Sequence, residues 1–322
     1  MSETPEVPVL NIRAYLAQEP GAQRQLAEQI KHALCEVGFM VLVGHDVDTD
    51  TITNAFAAAE DFHALPLETK ASLRMNEHNN GYMGSGQYAI VTSEHNETDA
   101  AERNESFFYK RERASDDPQV KPERRFVGPN QWPQLRWFKD RALTYADAMD
   151  DLAMRLLPAM SEALDLPEDY FTQRFTPSQF SVRFAHYPRY EGDDEAIGIA
   201  PHSDSNFLTF LPQSELPGLQ VRTQDGRWIN LPRVKGSIAV NSGDILRRWT
   251  NGRFKSTPHR ALAPKDKSRF AIPFFFGPSV DTVIECLPTC TSPTHPPAWS
   301  PITYEQWQHY WYDTNYNHNK QA

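Results

Sequence analysis

His202 and Asp204 stand two residues apart in PHSDSNFLTF, at the start of an apolar run. On a strand, side chains at i and i+2 share a face, so both would point at one spot while Ser203 points away. Two protein ligands seldom hold a metal, and the best third candidate is His259, in KSTPHRAL. Two imidazoles and a carboxylate suit a ferrous ion that keeps open coordination positions, and the same side-chain types serve catalytic zinc. Ten residues past His259, Arg269 in SRFAIPFFF offers a guanidinium fork for the carboxylate of an anionic ligand. Spacing alone leaves three readings open: an iron oxygenase, a zinc hydrolase, and a non-catalytic binding protein. Against the hydrolase, the chain carries no helical H-E-x-x-H and no dedicated general base beside these residues.

Such a triad needs strands to converge it. From Gln179 onward the chain breaks into short runs rich in branched and aromatic residues: SVRFAHYP, LTFLP, GLQVRT, WINLP, GSIAVN and RFAIPFFF. Turn signals such as Asp225-Gly226 separate them, which is the texture of a β-sandwich or jelly roll. Upstream, Leu26, Ile30, Leu34 and Val37 recur at helical spacing before Gly38, predicting a helix over 23–37. The run from Phe39 to Gly44 reads as a buried strand. Phe138, Ala142, Tyr145, Met149, Leu152 and Leu156 form the stripe of a long helix ending before Pro158. The N-terminal half therefore reads as mostly helical. Residues 76–129 are polar and punctuated by glycine, as in a lid, a binding loop or a disordered segment. A last helix is expected over 303–315. The expected fold is α+β, one integrated unit with a jelly-roll core over 177–285. An N-terminal region, 1–176, packs on that core, and a C-terminal segment, 286–322, carries the last helix.

Composition narrows the partners. The 322 residues hold 42 acidic against 32 basic side chains, a formal charge of −10, with no basic stripe to track phosphates. Nucleic acid is excluded on that ground. No apolar stretch reaches the roughly 18 residues of a membrane span, and no secretory signal opens the chain. Cys35, Cys286 and Cys290 make no paired framework, so a reducing cytoplasm is expected, with the protein as a monomer. Gly84-Ser85-Gly86 lacks the flanks of a phosphate loop or nucleophile elbow. His32, His63, His78, His95, His309 and His318 share no spacing and read as surface residues.

Several motifs in order resemble one family. VPVLNIRAYL and EVGFMVLVGHDV, then PHSDSNFLTFL, GLQVRTQDGRWINLP, AVNSGDILRRWTNGRFKSTPHRAL and RFAIPFFF are similar to the isopenicillin N synthase-like iron(II) and 2-oxoglutarate-dependent dioxygenases. The resemblance covers nearly the whole chain. It implies a double-stranded β-helix in which His202, Asp204 and His259 bind Fe(II). It also implies that Arg269 pairs with the distal carboxylate of 2-oxoglutarate and that Tyr187 hydrogen-bonds this cosubstrate. Asn241, Gly243 and Asp244 match a structural N-x-G-D turn, and His45 a structural position. The implied reaction uses O2 to hydroxylate, desaturate or cyclise a small organic metabolite, while 2-oxoglutarate becomes succinate and CO2. Tyr82, Met83, Tyr88, Phe107, Phe275 and Phe276 are the implied substrate contacts. Two residues depart from the pattern. Ala271 stands where the family carries a serine, and Ala185 where many members carry an asparagine.

Overall fold

The computed structural model describes residues 6–86, 103–114, 116–121, 124–192 and 196–315. The N-terminal elements are β1 (Val9–Asn11), α1 (Arg13–Leu16), α2 (Ala22–Glu36), β2 (Phe39–Val43), α3 (Thr49–His63), α4 (Leu67–Ala71), β3 (Gly81–Met83), β4 (Glu105–Lys110), α5 (Phe138–Ala163) and α6 (Tyr170–Arg174). The core follows as β5 (Gln179–Tyr187), β6 (Ile197–His202), β7 (Leu208–Pro212), β8 (Leu219–Arg222), β9 (Trp228–Asn230), β10 (Ile238–Ser242), α7 (Asp244–Trp249), β11 (His259–Leu262), β12 (Arg269–Ala271) and β13 (Phe274–Gly277). The chain closes with β14 (Val283–Ile284), β15 (Ile302–Thr303) and α8 (Tyr304–Asn315).

The large sheet runs β1-β2-β10-β7-β13-β5-β4-β3, with β12 also paired to β5, and the small sheet runs β6-β11-β8-β9. Ala185, Tyr187 and Ala271 of the first pack with Ile199 and Ala261 of the second, so the sheets face each other as a double-stranded β-helix. The class is α+β, as expected. The other face of the large sheet is covered by helices: Phe107, Tyr109, Val182 and Phe184 bury against Phe62 of α3 and Phe138, Ala142 and Tyr145 of α5. Each of the larger side chains contributes about 1.5–3 kcal/mol on leaving water. That is what joins the N-terminal helices to the barrel.

The N-terminal half is mostly helical, as expected, and it also supplies β1, β2, β3 and β4 to the large sheet. Two expectations need correction. The segment 76–129 is not loop throughout: ESFFYK pairs along its length with β5, its alternation hidden in polar surroundings. Finally, α5 runs through Pro158 to Ala163. Proline removes one helical hydrogen bond. Here Ala159, Met160 and Ala163 beyond it are buried in the main core, and Tyr15 Oη donates to the Arg155 carbonyl at 2.5 Å, so packing overrides the local break.

Candidate active site

β6 ends at His202 and β11 begins at His259, and the two strands pair antiparallel with these residues directly opposite. Adjacent strands thus bring the imidazoles side by side, ring centroids 4.4 Å apart. Two residues past His202, Asp204 turns Oδ1 toward both rings, 3.8 Å from His202 Nε2 and 3.6 Å from His259 Nε2. All three side chains are buried. Ser203 points the other way, lining an outer cleft of about 1040 Å³ whose walls include Arg222, Arg247 and Trp299 but none of the three. That larger cleft lacks the chemistry.

Hydrogen bonds on the far side of each group aim it. His202 Nδ1 lies 2.8 Å from the Ala200 carbonyl and His259 Nδ1 3.1 Å from the Thr257 carbonyl. A carbonyl only accepts, so each Nδ1 carries the proton and each Nε2 presents a lone pair to the common point. Burial, with His259 beside it, pulls the His202 pKa down to about 3, so this ring is neutral at physiological pH. Burial alone would raise the Asp204 pKa. His259, His202 and hydrogen bonds from Asn241 and Thr209 outweigh it, and the carboxyl sits below its usual range. Thr209 Oγ1 donates to Oδ2 at 2.5 Å and Asn241 Nδ2 at 2.8 Å, leaving Oδ1 for the histidines.

The N-x-G-D turn therefore does more than turn. Asn241 holds the carboxylate, and Asp244 N donates to the Asp204 carbonyl at 2.7 Å. A Cβ at Gly243 would meet the Asn206 and Asp204 carbonyl oxygens at 2.1 and 2.8 Å, so only glycine lets the backbones approach this closely.

Arg269 lies opposite Tyr187 across the β12–β5 pair, its guanidinium 5.1 Å from the phenol ring centroid. It is buried, and its Nε and Nη1 have no hydrogen-bond partner among the described residues. A buried cation with idle donors fits the carboxylate of an anionic ligand. Ala185 and Ala271 are the next inward pair on the same strands, directly opposite one another and buried. The two departures from the family pattern are thus one apolar patch.

A cavity opens on the Arg183 side of His202 and Asp204, walled by Phe108, Phe180, Phe275, Tyr304, Trp311 and Tyr312. Strand alternation sorts the expected substrate contacts. Phe275 lines this cavity, and Met83 is buried with Phe108, Ala185 and Trp311 on the barrel side. Tyr82 and Phe107 pack on the helix side with Phe62, Phe276 packs against Phe175, and Tyr88 lies outside the described residues. Arg183, Phe108, Gln308 and Trp311 escaped the sequence reading. Arg183 had a signal: in SVRFAHYP it shares the parity of Ala185 and Tyr187.

A second group, His63, Glu105 and His186, also gathers two imidazoles and a carboxylate. His63 is buried here, contrary to its reading as a surface residue. Lys70 Nζ already holds both Glu105 oxygens, at 2.8 and 3.0 Å, and Tyr82 Oη donates to one at 2.5 Å.

The barrel and the inward two-histidine, one-aspartate set define a non-haem metal oxygenase of the facial-triad kind. Residues 177–278 match the 2OG-Fe(II) oxygenase superfamily, and residues 7–135 match the domain described as non-haem dioxygenase in morphine synthesis N-terminal. The 2-oxoglutarate-Fe(II) type oxidoreductase hxnY of Emericella nidulans is 32% identical over 92% of this chain and 87% of its own. Kihadalactone A synthase of Citrus sinensis is also 32% identical, over 92% and 90%. A crystal structure of a full-length Neurospora crassa protein in complex with alpha-KG superposes with a TM-score of 0.83 at 25% identity, covering 95% of this chain and 96% of that one. The chain belongs to the 2OG-Fe(II) oxygenase superfamily. It is an oxidoreductase that works with Fe(II), 2-oxoglutarate and O2 on a small metabolite. The zinc hydrolase and the non-catalytic binding protein fall with that membership.

Proposed function

We propose that His202, Asp204 and His259 bind Fe(II), that Arg269 and Tyr187 hold the distal carboxylate of 2-oxoglutarate, and that a small organic metabolite enters from the Arg183 side. Hydroxylation, desaturation or ring closure of that metabolite accompanies conversion of 2-oxoglutarate to succinate and CO2. One observation carries the assignment: two Nε2 lone pairs and one carboxylate oxygen converge while every other polar atom of the three is tied to protein. Bound ferrous iron supplies the activation of dioxygen. The protein's part is to fix two imidazoles with Nε2 turned inward beside one carboxylate, to offer Arg269 as a buried counter-charge, and to exclude water with the aromatic walls beneath α8. A relative named as the synthase of kihadalactone A supports a substrate of small-molecule scale.

The test is release of succinate and CO2 from 2-oxoglutarate with Fe(II). Full turnover in His202→Ala would sink the ligand assignment. Arg269→Ala should raise the 2-oxoglutarate requirement by roughly tenfold or more, since a hydrogen bond to a charged group is worth about 1.5–3 kcal/mol. An unchanged requirement would place the carboxylate contact elsewhere. We further propose a cytoplasmic monomer: the acidic charge excess disfavours nucleic acid, the unpaired cysteines fit a reducing compartment, and among the described residues no helix is long and apolar enough to cross a membrane. A dimer by light scattering would overturn the oligomeric part.

A further inference from the structure

β6 ends on His202, and it carries a buried glycine, Gly198, a turn of pleat upstream. Ile199 pairs with Ala261 and Ile197 with Leu262, two steps along β6 against a single step along β11, so Gly198 is the extra residue of a β-bulge. Such a residue has no direct partner in the ladder, and bulges beside active sites serve to re-aim their neighbours. This one is held in place: Asn104, just ahead of β4, donates from Nδ2 to the Gly198 carbonyl at 2.9 Å. Gly198 is not among the glycines with positive φ, so its backbone conformation does not call for glycine. Contact does. A Cβ there would meet Tyr187 Cδ1 at 2.8 Å, Tyr187 Cε1 at 3.2 Å and the Ala261 carbonyl oxygen at 3.3 Å. The phenol ring thus lies on the bare backbone of the bulge.

What rests on that ring is Arg269. The two residues are directly opposite across the β12–β5 pair, both are buried, and the guanidinium lies 5.1 Å from the ring centroid. Because Nε and Nη1 have no hydrogen-bond partner among the described residues, the aromatic ring is a main support of the guanidinium, and a shift of the ring shifts the fork. A guanidinium fork grips a carboxylate through two parallel hydrogen bonds whose geometry tolerates little displacement. Gly198, Tyr187 and Arg269 therefore form a stack whose first member is a missing side chain.

We infer that Gly198 is a specificity-determining position for the cosubstrate: its bare backbone seats the Tyr187 ring, and through that ring it sets the grip of Arg269 on the distal carboxylate. Gly198 is a positioning residue, and Asn104, which holds its carbonyl, is a second. The inference rests on the assignment of Arg269 and Tyr187 to 2-oxoglutarate. A side chain at 198 pushes the ring off its seat and the guanidinium with it, so binding through the distal carboxylate is lost while binding through the oxo acid end at the metal is kept. The triad is spared, since His202 takes its aim from the Ala200 carbonyl and its place from the pairing with His259.

Equilibrium binding separates the two ends of the cosubstrate without turnover. The full chain loaded with Mn(II) is titrated with 2-oxoglutarate and with 2-oxobutanoate, which keeps the oxo acid end and lacks the distal carboxylate. The wild type should bind 2-oxoglutarate about tenfold or more tighter, the worth of a hydrogen bond to a charged group. In Gly198→Ala that preference should all but vanish, as in Arg269→Ala, while the affinities for 2-oxobutanoate and Mn(II) stay at their wild-type values. Asn104→Asp keeps an acceptor for Arg183 but sets an acceptor against the Gly198 carbonyl, and it should lose part of the preference. A preference lost in Arg269→Ala but kept in Gly198→Ala overturns the inference alone. So does an equal weakening of both oxo acids in Gly198→Ala, which would make the glycine a support of the strand only. Should Gly198→Ala fail to fold, a preference kept in full by Asn104→Asp overturns it instead. A wild type that binds both acids alike, or an Arg269→Ala protein that keeps the preference, overturns the assignment of Arg269, and the inference falls with it.

Discussion

His202, Asp204 and His259 inside the barrel, and His63, Glu105 and His186 on the helix side of β4 and β5, each gather two imidazoles and a carboxylate within 4.8 Å. What separates them is the rest of the carboxylate's company. Asp204 meets only neutral donors, Thr209 and Asn241, on the oxygen turned away from the rings. Glu105 meets an ammonium: Lys70 bridges both its oxygens and also donates to the His63 carbonyl at 3.2 Å. In the first cluster the positive charge is left to be supplied. In the second it is already resident, so the same residue types make an internal ion pair that fastens α3 and α4 to the sheet. Ligand count alone does not identify a metal centre; an unfilled need for a cation does.

The largest expected effect falls on the open cluster. Asp204→Asn keeps the shape and removes the charge, and Fe(II) or Co(II) affinity and turnover should both fall by more than the roughly 10–100-fold that losing an outer support costs. Wild-type protein should take up one equivalent of metal. Two equivalents in the wild type, or one retained at wild-type affinity in Asp204→Asn, would erase the distinction drawn between the clusters.

Next comes Lys70→Met, which strands Glu105 as a buried anion. Removing one partner of a buried pair costs about 3–5 kcal/mol, and the urea midpoint should drop accordingly. The vacancy then resembles the open cluster, so Zn(II) should restore part of the lost stability in Lys70→Met and none in the wild type. A loss below about 1 kcal/mol would show that the ion pair is not the fastening it is taken to be.

How far each cluster can be read from sequence follows from how it is assembled. His202 and Asp204 are two apart on a strand end, and the i, i+2 rule exposes them. Glu105, His186, His63 and Lys70 come from four elements separated by long stretches of chain, with no shared period to join them. A lone histidine such as His63 then defaults to the surface. The barrel was legible from its short, evenly spaced runs. The substrate wall was legible only to within one residue: Tyr82 and Met83, Phe107 and Phe108, and Phe275 and Phe276 are adjacent pairs, and alternation turns one of each to the barrel and the other to the core. Which one depends on register, and register is fixed by pairing across the sheet, which no single run contains.

A smaller effect probes the neutral company of Asp204. Thr209→Val removes the 2.5 Å hydrogen bond to Oδ2 and leaves that from Asn241. Metal affinity should fall about tenfold, the lower end for an outer support. No change would mean that Asn241 alone orients the carboxylate.

The closed cluster should also show itself in the pH dependence of stability. Burial, against the opposing pull of Glu105, holds the His63 pKa below its ordinary value of 6.5, so the unfolded chain binds more protons once the pH drops under that value. Stability from this group is complete above pH 6.5 and is lost below it. For Glu105, burial works to raise the pKa, but hydrogen bonds from His186, His63, Lys70 and Tyr82 prevail and hold it far below its ordinary 4.5. Its contribution is present above 4.5 and is lost as the pH falls beneath it. Both slopes have the same sign, and the His63 slope is softened by the support Glu105 gives the protonated ring. The urea-midpoint difference between the wild type and Glu105→Gln should therefore grow as the pH falls from 6.5 toward 4.5 and narrow steadily below 4.5, while His202 contributes equally to both proteins and cancels. A difference that stays constant from pH 3 to 7 would mean that the Glu105 charge is not what Lys70 and the two histidines are arranged around.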